Sequence, residues 1–328
     1  MNERIYLLQD ADPTIFFGPN SKNLVLLKDL HPKLRMVARG NIIKVMGEPE
    51  EINLFVQLLS KLEAHANTYN NLDEETILEI AHGVKPKQTL LDNVITYGAG
   101  GKPISAMSNN QKEMVKLVET HDLVFATGPA GTGKTFMAIV MAVKMMKNKQ
   151  ARRIILCRPA VEAGEKLGFL PGEMKDKLDP YLQPLYDALQ ELIPAIKLKE
   201  YLETGVIQIA PLAFMRGRTL NDAVIILDEA QNTTPHQMKM FLTRLGTNGK
   251  MIVTGDMSQI DLPKGVSSGL RQALSILKDV EGIRRIEFLK GDIARHKLVK
   301  DIVAAYDQHE AARKALQQEN TQTPPTTT

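Results

Sequence analysis

Eight residues constrain this chain more than any other stretch: Gly128-Pro129-Ala130-Gly131-Thr132-Gly133-Lys134-Thr135. They satisfy G-x-x-x-x-G-K-[ST] at every fixed position, follow the apolar run Leu123 to Ala126, and open the helix-prone stretch Phe136 to Met146. Strand, loop and helix in that order form the setting in which this pattern binds phosphate. The backbone N–H groups of a glycine-rich loop wrap an anionic oxygen at the positive end of a helix, where side chains would obstruct it. The implied ligand is a nucleotide phosphate, with ATP and Mg²⁺ as cofactors. Lys134 is placed to reach the β- and γ-phosphates, and the Thr135 hydroxyl to hold the Mg²⁺ that neutralises charge as the γ-phosphoryl departs.

From Ser108 onward, β-type apolar runs alternate with helical patterns: Leu123 to Ala126, Ile154 to Cys157, Val206 to Ile209, Ala223 to Leu227, Met251 to Val253 and Ile286 to Leu289. Such alternation predicts an α/β fold with a mostly parallel sheet, flanked by helices and carrying its chemistry at the carboxyl ends of the strands. The run Ala223 to Leu227 delivers Asp228 and Glu229 to that edge. Asp228 is expected to hold Mg²⁺ through water, and Glu229 to polarise the attacking water in line with the γ-phosphate. The turn Thr254-Gly255-Asp256-Met257-Ser258-Gln259 follows the next run, and Gln259 is the expected γ-phosphate sensor. Gln111, within Asn109-Asn110-Gln111, carries an amide with both donor and acceptor, suited to an adenine edge.

Residues 1–66 read as a small α/β unit, with helical patterns after Asn20 and after Pro49 and a hairpin around Arg39-Gly40-Asn41. Order and spacing resemble a KH RNA-binding module. Gly18 and Leu24 match its I-G-x-x-G-x-x-I pattern, while Ser21 stands where the second glycine belongs. Both a working RNA clamp and a scaffold for packing or assembly follow from that resemblance. Residues 67–107 hold a short amphipathic piece, Leu72 to Ala81, inside a glycine- and proline-rich linker. The ATPase domain is expected over 108–312, and the Gln/Thr/Pro-rich end, 313–328, is expected to be disordered.

Charge separates along the chain. Residues 1–82 hold 8 Lys/Arg against 12 Asp/Glu, net −4, and residues 83–328 hold 33 against 26, net +7. A basic nucleotide-binding part suits an anionic polymer partner. No apolar run approaches the roughly 18 residues of a membrane span, and the acidic start lacks a signal peptide's basic region, so a cytoplasmic protein is expected. The single cysteine, Cys157, sits in an apolar run and reads as core, and the seven histidines show no zinc-ligand spacing.

Gln111, the phosphate loop, Asp228-Glu229-Ala230-Gln231 and Gly255-x-x-x-Gln259 together resemble the first RecA-like half of a superfamily 1 helicase. Further segments resemble those of the bacterial PhoH-like ATPase family. They are Arg158-Pro159-Ala160-Val161-Glu162, Gly168-Phe169-Leu170-Pro171-Gly172, Asp179-Pro180-Tyr181-Leu182, Phe214-Met215-Arg216-Gly217-Arg218-Thr219-Leu220 and Asp292-Ile293-Ala294-Arg295-His296. The resemblance covers nearly the whole chain apart from the tail. It implies a RecA-like ATPase acting on RNA, single-stranded and without sequence preference, as a homo-oligomeric ring, hexameric by analogy, with an endoribonuclease partner. Some relatives carry a fused PIN nuclease domain, and none is expected here.

Arg295 follows the last expected strand, where an arginine can reach a neighbouring subunit as a finger worth about 10³ to 10⁵ in rate. It can equally cap its own helix. Arg216 and Arg218 suit RNA phosphate or an interface, and Arg158-Pro159 corresponds to the helicase segment that touches the polynucleotide backbone. Lys166, Lys175 and Lys177 lie in a glycine-containing insertion that could line a pore. Phe169 and Tyr181 serve either base stacking or packing. Three readings follow: an RNA-stimulated ATPase or helicase, a nucleotide-switched assembly factor that presents RNA to a nuclease, and a protein-remodelling ring.

Overall fold

The computed structural model describes residues 2–84, 94–159 and 174–293 together with Leu298 and Ile302, the side chains of 174–180 excepted. Arg295, Lys166, Phe169, the glycines at 164, 168 and 172, and the expected disordered end lie outside the described residues, as do the side chains of Lys175 and Lys177.

The first unit runs β1 (Asn2–Leu7), α1 (Pro13–Phe17), α2 (Lys22–Leu30), β2 (Arg35–Arg39), β3 (Ile42–Gly47) and α3 (Pro49–Tyr69). Its three strands form an antiparallel sheet in the order β1-β3-β2. The helices bury Phe16, Leu27, Phe55, Leu59 and Leu62 against Ile43 and Val45. Period-2 alternation puts the other residues of the strands, Ile5, Val37 and Ile42 among them, toward solvent. Buried Glu63 on α3 fastens the chain after β1, accepting from the N–H groups of Gln9 and Asp10 at 2.6 and 2.8 Å. The same carboxylate accepts from the Tyr6 hydroxyl at 2.6 Å, and burial pushes that phenol up to about 12.

α4 (Glu74–Ala81) follows, its first turn capped by the Asp73 carboxylate. The stretch read as linker then contains a hairpin, β4 (Val94–Tyr97) and β5 (Pro103–Ser105), whose turn uses Gly100 and Gly101 at positive φ. Glycine and proline density marks a turn as readily as a flexible connection, and only packing decides between them. Here Asn70 Nδ2 donates to the carbonyls of Tyr97, Gly98 and Leu192 at 2.9, 2.8 and 3.2 Å, tying the end of α3 to the hairpin.

The larger unit comprises α5 (Asn109–Thr120), β6 (Leu123–Thr127), α6 (Lys134–Lys147), β7 (Arg153–Arg158), α7 (Met174–Leu192), α8 (Ala195–Glu203), β8 (Ile207–Pro211), β9 (Ala223–Leu227), α9 (Pro235–Leu242), β10 (Lys250–Gly255), α10 (Gly269–Ile276) and β11 (Ile283–Glu287). Its six strands form one sheet in the order β11-β6-β10-β9-β7-β8, every described pair parallel. The expected α/β class holds, and the sheet is a RecA-like core in which β10 separates the strand of the phosphate loop from the strand of the paired carboxylates. Alternate residues of the central strands feed two cores. Val124, Ile154, Leu156, Val224, Ile226 and Ile252 pack with α5, α6 and α7, while Phe125, Ile155, Cys157, Ile225, Leu227 and Val253 pack with α9 and α10. Cys157 is fully buried as expected, and burial pushes its thiol up to about 12. Burying each large apolar side chain contributes about 1.5–3 kcal/mol, so a sheet covered on both faces must read as unbroken apolar runs.

The last strand is displaced from its expected position. β11 spans Ile283–Glu287, where Arg284 and Arg285 are exposed, rather than the apolar run that begins at Ile286. An edge strand needs few buried residues. Phe288 beyond it continues the pairing through its N–H to the Thr127 carbonyl at 2.7 Å, and its ring is buried.

Lys147, in the last turn of α6, gives a pH-dependent prediction. It donates to the Tyr97 carbonyl at 2.9 Å beneath the hairpin, and burial lowers its ammonium to about 8. Between about pH 8 and the ordinary lysine value the unfolded chain holds a proton that the folded chain has released, so stability rises with pH in that window. The wild type should gain on Lys147→Met by up to about 1 kcal/mol per pH unit from pH 8 to 9.5. Denaturant melts at a series of pH values read it, and parallel curves would refute it.

Candidate nucleotide site

The phosphate loop is built by backbone that only glycine adopts comfortably. Gly128, Gly131 and Gly133 have φ of 138°, 82° and 80°. At Gly128 a Cβ would also stand 2.3 Å from the Phe288 carbonyl oxygen, so the chain after β11 closes directly over the loop. Gly133 caps α6, whose first-turn N–H groups have no intrahelical acceptor and are available to an anion. Lys134 is buried, and its Nζ donates to the carbonyls of Gly128 and Pro129, each at 2.7 Å. Burial lowers the ammonium's pKa, and the carboxylates of Asp256, Glu229 and Asp228 oppose that shift.

Parallel pairing brings the other groups to the same sheet edge. Val253 on β10 lies opposite Leu227 on β9, and Gly255 opposite Thr127 on β6. Asp228, buried at the end of β9, accepts from the Thr135 hydroxyl at 2.6 Å and from the Thr254 hydroxyl at 2.8 Å, both on Oδ1. A hydroxyl and a carboxylate facing each other at the mouth of a phosphate loop supply hard oxygen ligands. Mg²⁺ takes only one or two such protein groups and completes its shell with phosphate and water. The donor set therefore fits Mg²⁺, which Thr135 and Asp228 would hold. When bound, such a metal would supply charge neutralisation to the phosphates. Among the described residues no cluster of three or more His, Cys, Asp or Glu forms a separate metal cage.

Glu229 adopts a left-handed conformation, φ 52° and ψ 38°, which costs a non-glycine residue on the order of 1 kcal/mol. That turn carries its carboxylate out of the sheet toward the cavity. Two neighbours hold it: Gln231 Nε2 donates to Oε2 at 2.6 Å, and Arg158 Nη2 lies 3.5 Å from Oε1. Gln231 is fully buried with its amide in use, its second contact reaching the Gln259 carbonyl at 3.1 Å and its oxygen accepting from the Asp256 N–H at 3.0 Å. One side chain thus locks the loops after β9 and β10 together. A Cβ at Gly255 would stand 3.0 Å from the Gln231 oxygen and 2.5 Å from Leu270 Cδ2, so a larger residue there would have to displace both side chains.

Lys134, Thr135, Asp228, Glu229 and Gln259 line one cavity of about 240 Å³, together with Ala130, Gly131 and Gly133. Gly128, Pro129 and Thr132 form the loop's outer turn, where the Thr132 hydroxyl donates to the Pro129 carbonyl at 3.0 Å. Gln111 sits beside that turn, buried. Its Nε2 donates to the Thr132 carbonyl at 3.0 Å and its Oε1 accepts from the Met107 N–H at 2.6 Å. The amide has a second N–H to offer, so bracing the loop leaves a donor for a base. A larger groove of about 740 Å³ lies between α9 and α10 at the other end of the strands, is mainly apolar, and holds none of these residues.

Two residues, Asp256 and Thr254, were given no site role by the sequence, and the contact of a third, Arg158, was not foreseen there. Asp256 clamps the loop, accepting from the Ala130 N–H at 2.9 Å through Oδ2 while Oδ1 holds the Ser258 N–H and hydroxyl. Thr254 orients Asp228. Arg158, expected to touch a polynucleotide, lies 3.5 Å from Glu229. The first two had a signal, a polar pair at the end of an apolar run; the third had none, because the contact depends on β7 lying beside β9. Arg218 is taken up by Gln208 Oε1 at 2.7 Å, whereas Arg216 and Phe214 are exposed.

Known proteins resemble this chain in sequence over most of its length. The family model described as "PhoH-like protein" matches residues 103–307. A "PhoH-like protein" of Bacillus subtilis (strain 168) is 47% identical over 313 residues, 94% of this chain and 97% of that one. "Protein PhoH" of Escherichia coli (strain K12) is 38% identical, covering 85% of this chain and 77% of that one. Among solved structures, the Pif1 helicase from Candida albicans aligns at 14% identity with a TM-score of 0.30, covering 57% of this chain and 41% of that one, a likeness too slight to add to the topology. With its phosphate loop, its paired carboxylates and a family match across most of its length, the chain belongs to the PhoH-like protein family.

Proposed function

We propose that this protein is a Mg²⁺-dependent ATPase stimulated by single-stranded RNA, working as a homo-oligomer beside a ribonuclease. The observation that carries the ATPase reading is the meeting of Lys134, the Thr135–Asp228 pair and Glu229 around one cavity. Lys134 and the helix N-terminus bind the phosphates; Glu229 takes the hydrogen bond of the attacking water; Gln259, on the neighbouring turn, reports loss of the γ-phosphate. Gln111 braces the loop and offers its remaining donor to the adenine. Arg295 is the candidate finger for the site of an adjoining copy, because in sequence it follows β11, where an arginine can reach a neighbouring subunit.

An RNA partner draws support from charge and position. The part of the chain beyond residue 82 carries net +7, and exposed Phe214 and Arg216 follow β8 at the same sheet edge as the nucleotide cavity. Aromatic stacking and guanidinium contacts are the sequence-tolerant means of holding single strands. ATP turnover measured with and without single-stranded RNA should rise with RNA, and a tailed RNA duplex should lose its short strand when ATP is present. Stimulation without displacement favours the nucleotide-switched assembly factor. No response to RNA, with activation by an unfolded polypeptide, would replace this reading with protein remodelling.

A further inference from the structure

Arg158 ends β7, and β7 pairs with β9 so that Cys157 lies opposite Leu227, one residue before Asp228-Glu229. The register sets its guanidinium against the water-activating carboxylate. Nη2 lies 3.5 Å from Glu229 Oε1, and Nη1 donates to the Tyr181 carbonyl at 2.9 Å. With Gln231 on Oε2, each Glu229 oxygen faces a donor. A general base must accept from the water it polarises, so a cation drawn to Oε1 competes with that water. Both side chains stay within reach of solvent, at 20% and 31% exposure. On its other side β7 pairs with β8, Arg158 opposite Pro211, and the chain beyond Pro211 bears exposed Phe214 and Arg216.

We propose that Arg158 is a phosphodiester-binding residue that couples polynucleotide binding to hydrolysis. A backbone phosphate engages the guanidinium and draws it from Glu229, leaving Oε1 to accept from the attacking water. The exchange is favourable because a partly exposed ion pair holds an equilibrium by only about fivefold, whereas a guanidinium meets phosphate with two parallel hydrogen bonds. This inference rests on the RNA-stimulated ATPase reading and names the residue that transmits the stimulus.

The test is steady-state ATPase with and without a single-stranded oligouridylate for wild type, Arg158→Ala and Arg158→Gln, with oligouridylate affinity measured on the same proteins. Arg158→Gln is read beside the alanine variant in case the latter fails to fold. Removing the guanidinium should raise the basal kcat about fivefold, bring the stimulation ratio toward one, and weaken oligouridylate binding. A lower basal kcat with the wild-type stimulation ratio would overturn the proposal, leaving Arg158 as a group that merely orients Glu229. A wild type indifferent to oligouridylate sinks the RNA reading and the phosphate half of the coupling with it. The basal rate of the variants still separates the two failures, because restraint of Glu229 is read without RNA.

Discussion

Glutamine in place of Glu229 should leave a protein that holds ATP and does not cleave it. The amide keeps the length of the side chain and can remain beside Gln231, and the groups proposed to bind phosphate, Lys134 and the α6 N-terminus, are untouched. What disappears is the carboxylate proposed to take the water's hydrogen bond, a contribution of about 10² to 10⁴ in rate. The expected result is therefore a kcat lower by that factor with ATP affinity little changed, measured by single-turnover hydrolysis together with equilibrium binding. A Glu229→Gln protein that turns over at the wild-type rate would move the base elsewhere. Asp228 is the poorer candidate, since its Oδ1 is engaged by Thr135 and Thr254.

Methionine in place of Lys134 should have the opposite signature, loss of binding before chemistry is reached. The ammonium is the one cation the described residues bury at the loop, and in the structure it bridges the Gly128 and Pro129 carbonyls. Charged hydrogen bonds of this kind contribute about 1.5–3 kcal/mol each. Two of them exchanged for bonds to phosphate correspond to a loss of about 3 kcal/mol, more than 100-fold in Kd. Methionine preserves the stem that packs in the buried channel, so the fold should survive. Titration with a fluorescent ATP analogue reads the effect, and an affinity within a few-fold of wild type would remove Lys134 from phosphate binding.

Much of this site was legible without coordinates because its chemistry is local. A loop that wraps phosphate requires positive φ at fixed positions, so its glycines and its lysine occur at fixed spacing. Asp228 and Glu229 stood out because charge directly after five buried residues has no packing rationale. In the N-terminal unit the hairpin around Gly40 and the helices after Asn20 and Pro49 were legible from their periodicity, whereas β1, exposed along most of its length, was not. Boundaries were less so: β11 carries only one buried residue, and its apolar neighbour Phe288 belongs to the lid over Gly128. The hairpin at β4 and β5 read as linker because its turn residues are those of any loop.

The residues alone determined a phosphate loop, two carboxylates at a strand end and a two-faced parallel sheet, since each follows from backbone conformation or burial within a few neighbouring positions. Only the tertiary structure decided which strands are neighbours. The order β11-β6-β10-β9-β7-β8 brings Asp256 to the Ala130 N–H, Thr254 to Asp228 and Arg158 to Glu229. Strand order is set by the summed packing of helices on both faces, a property of the whole chain, and no window of sequence contains it.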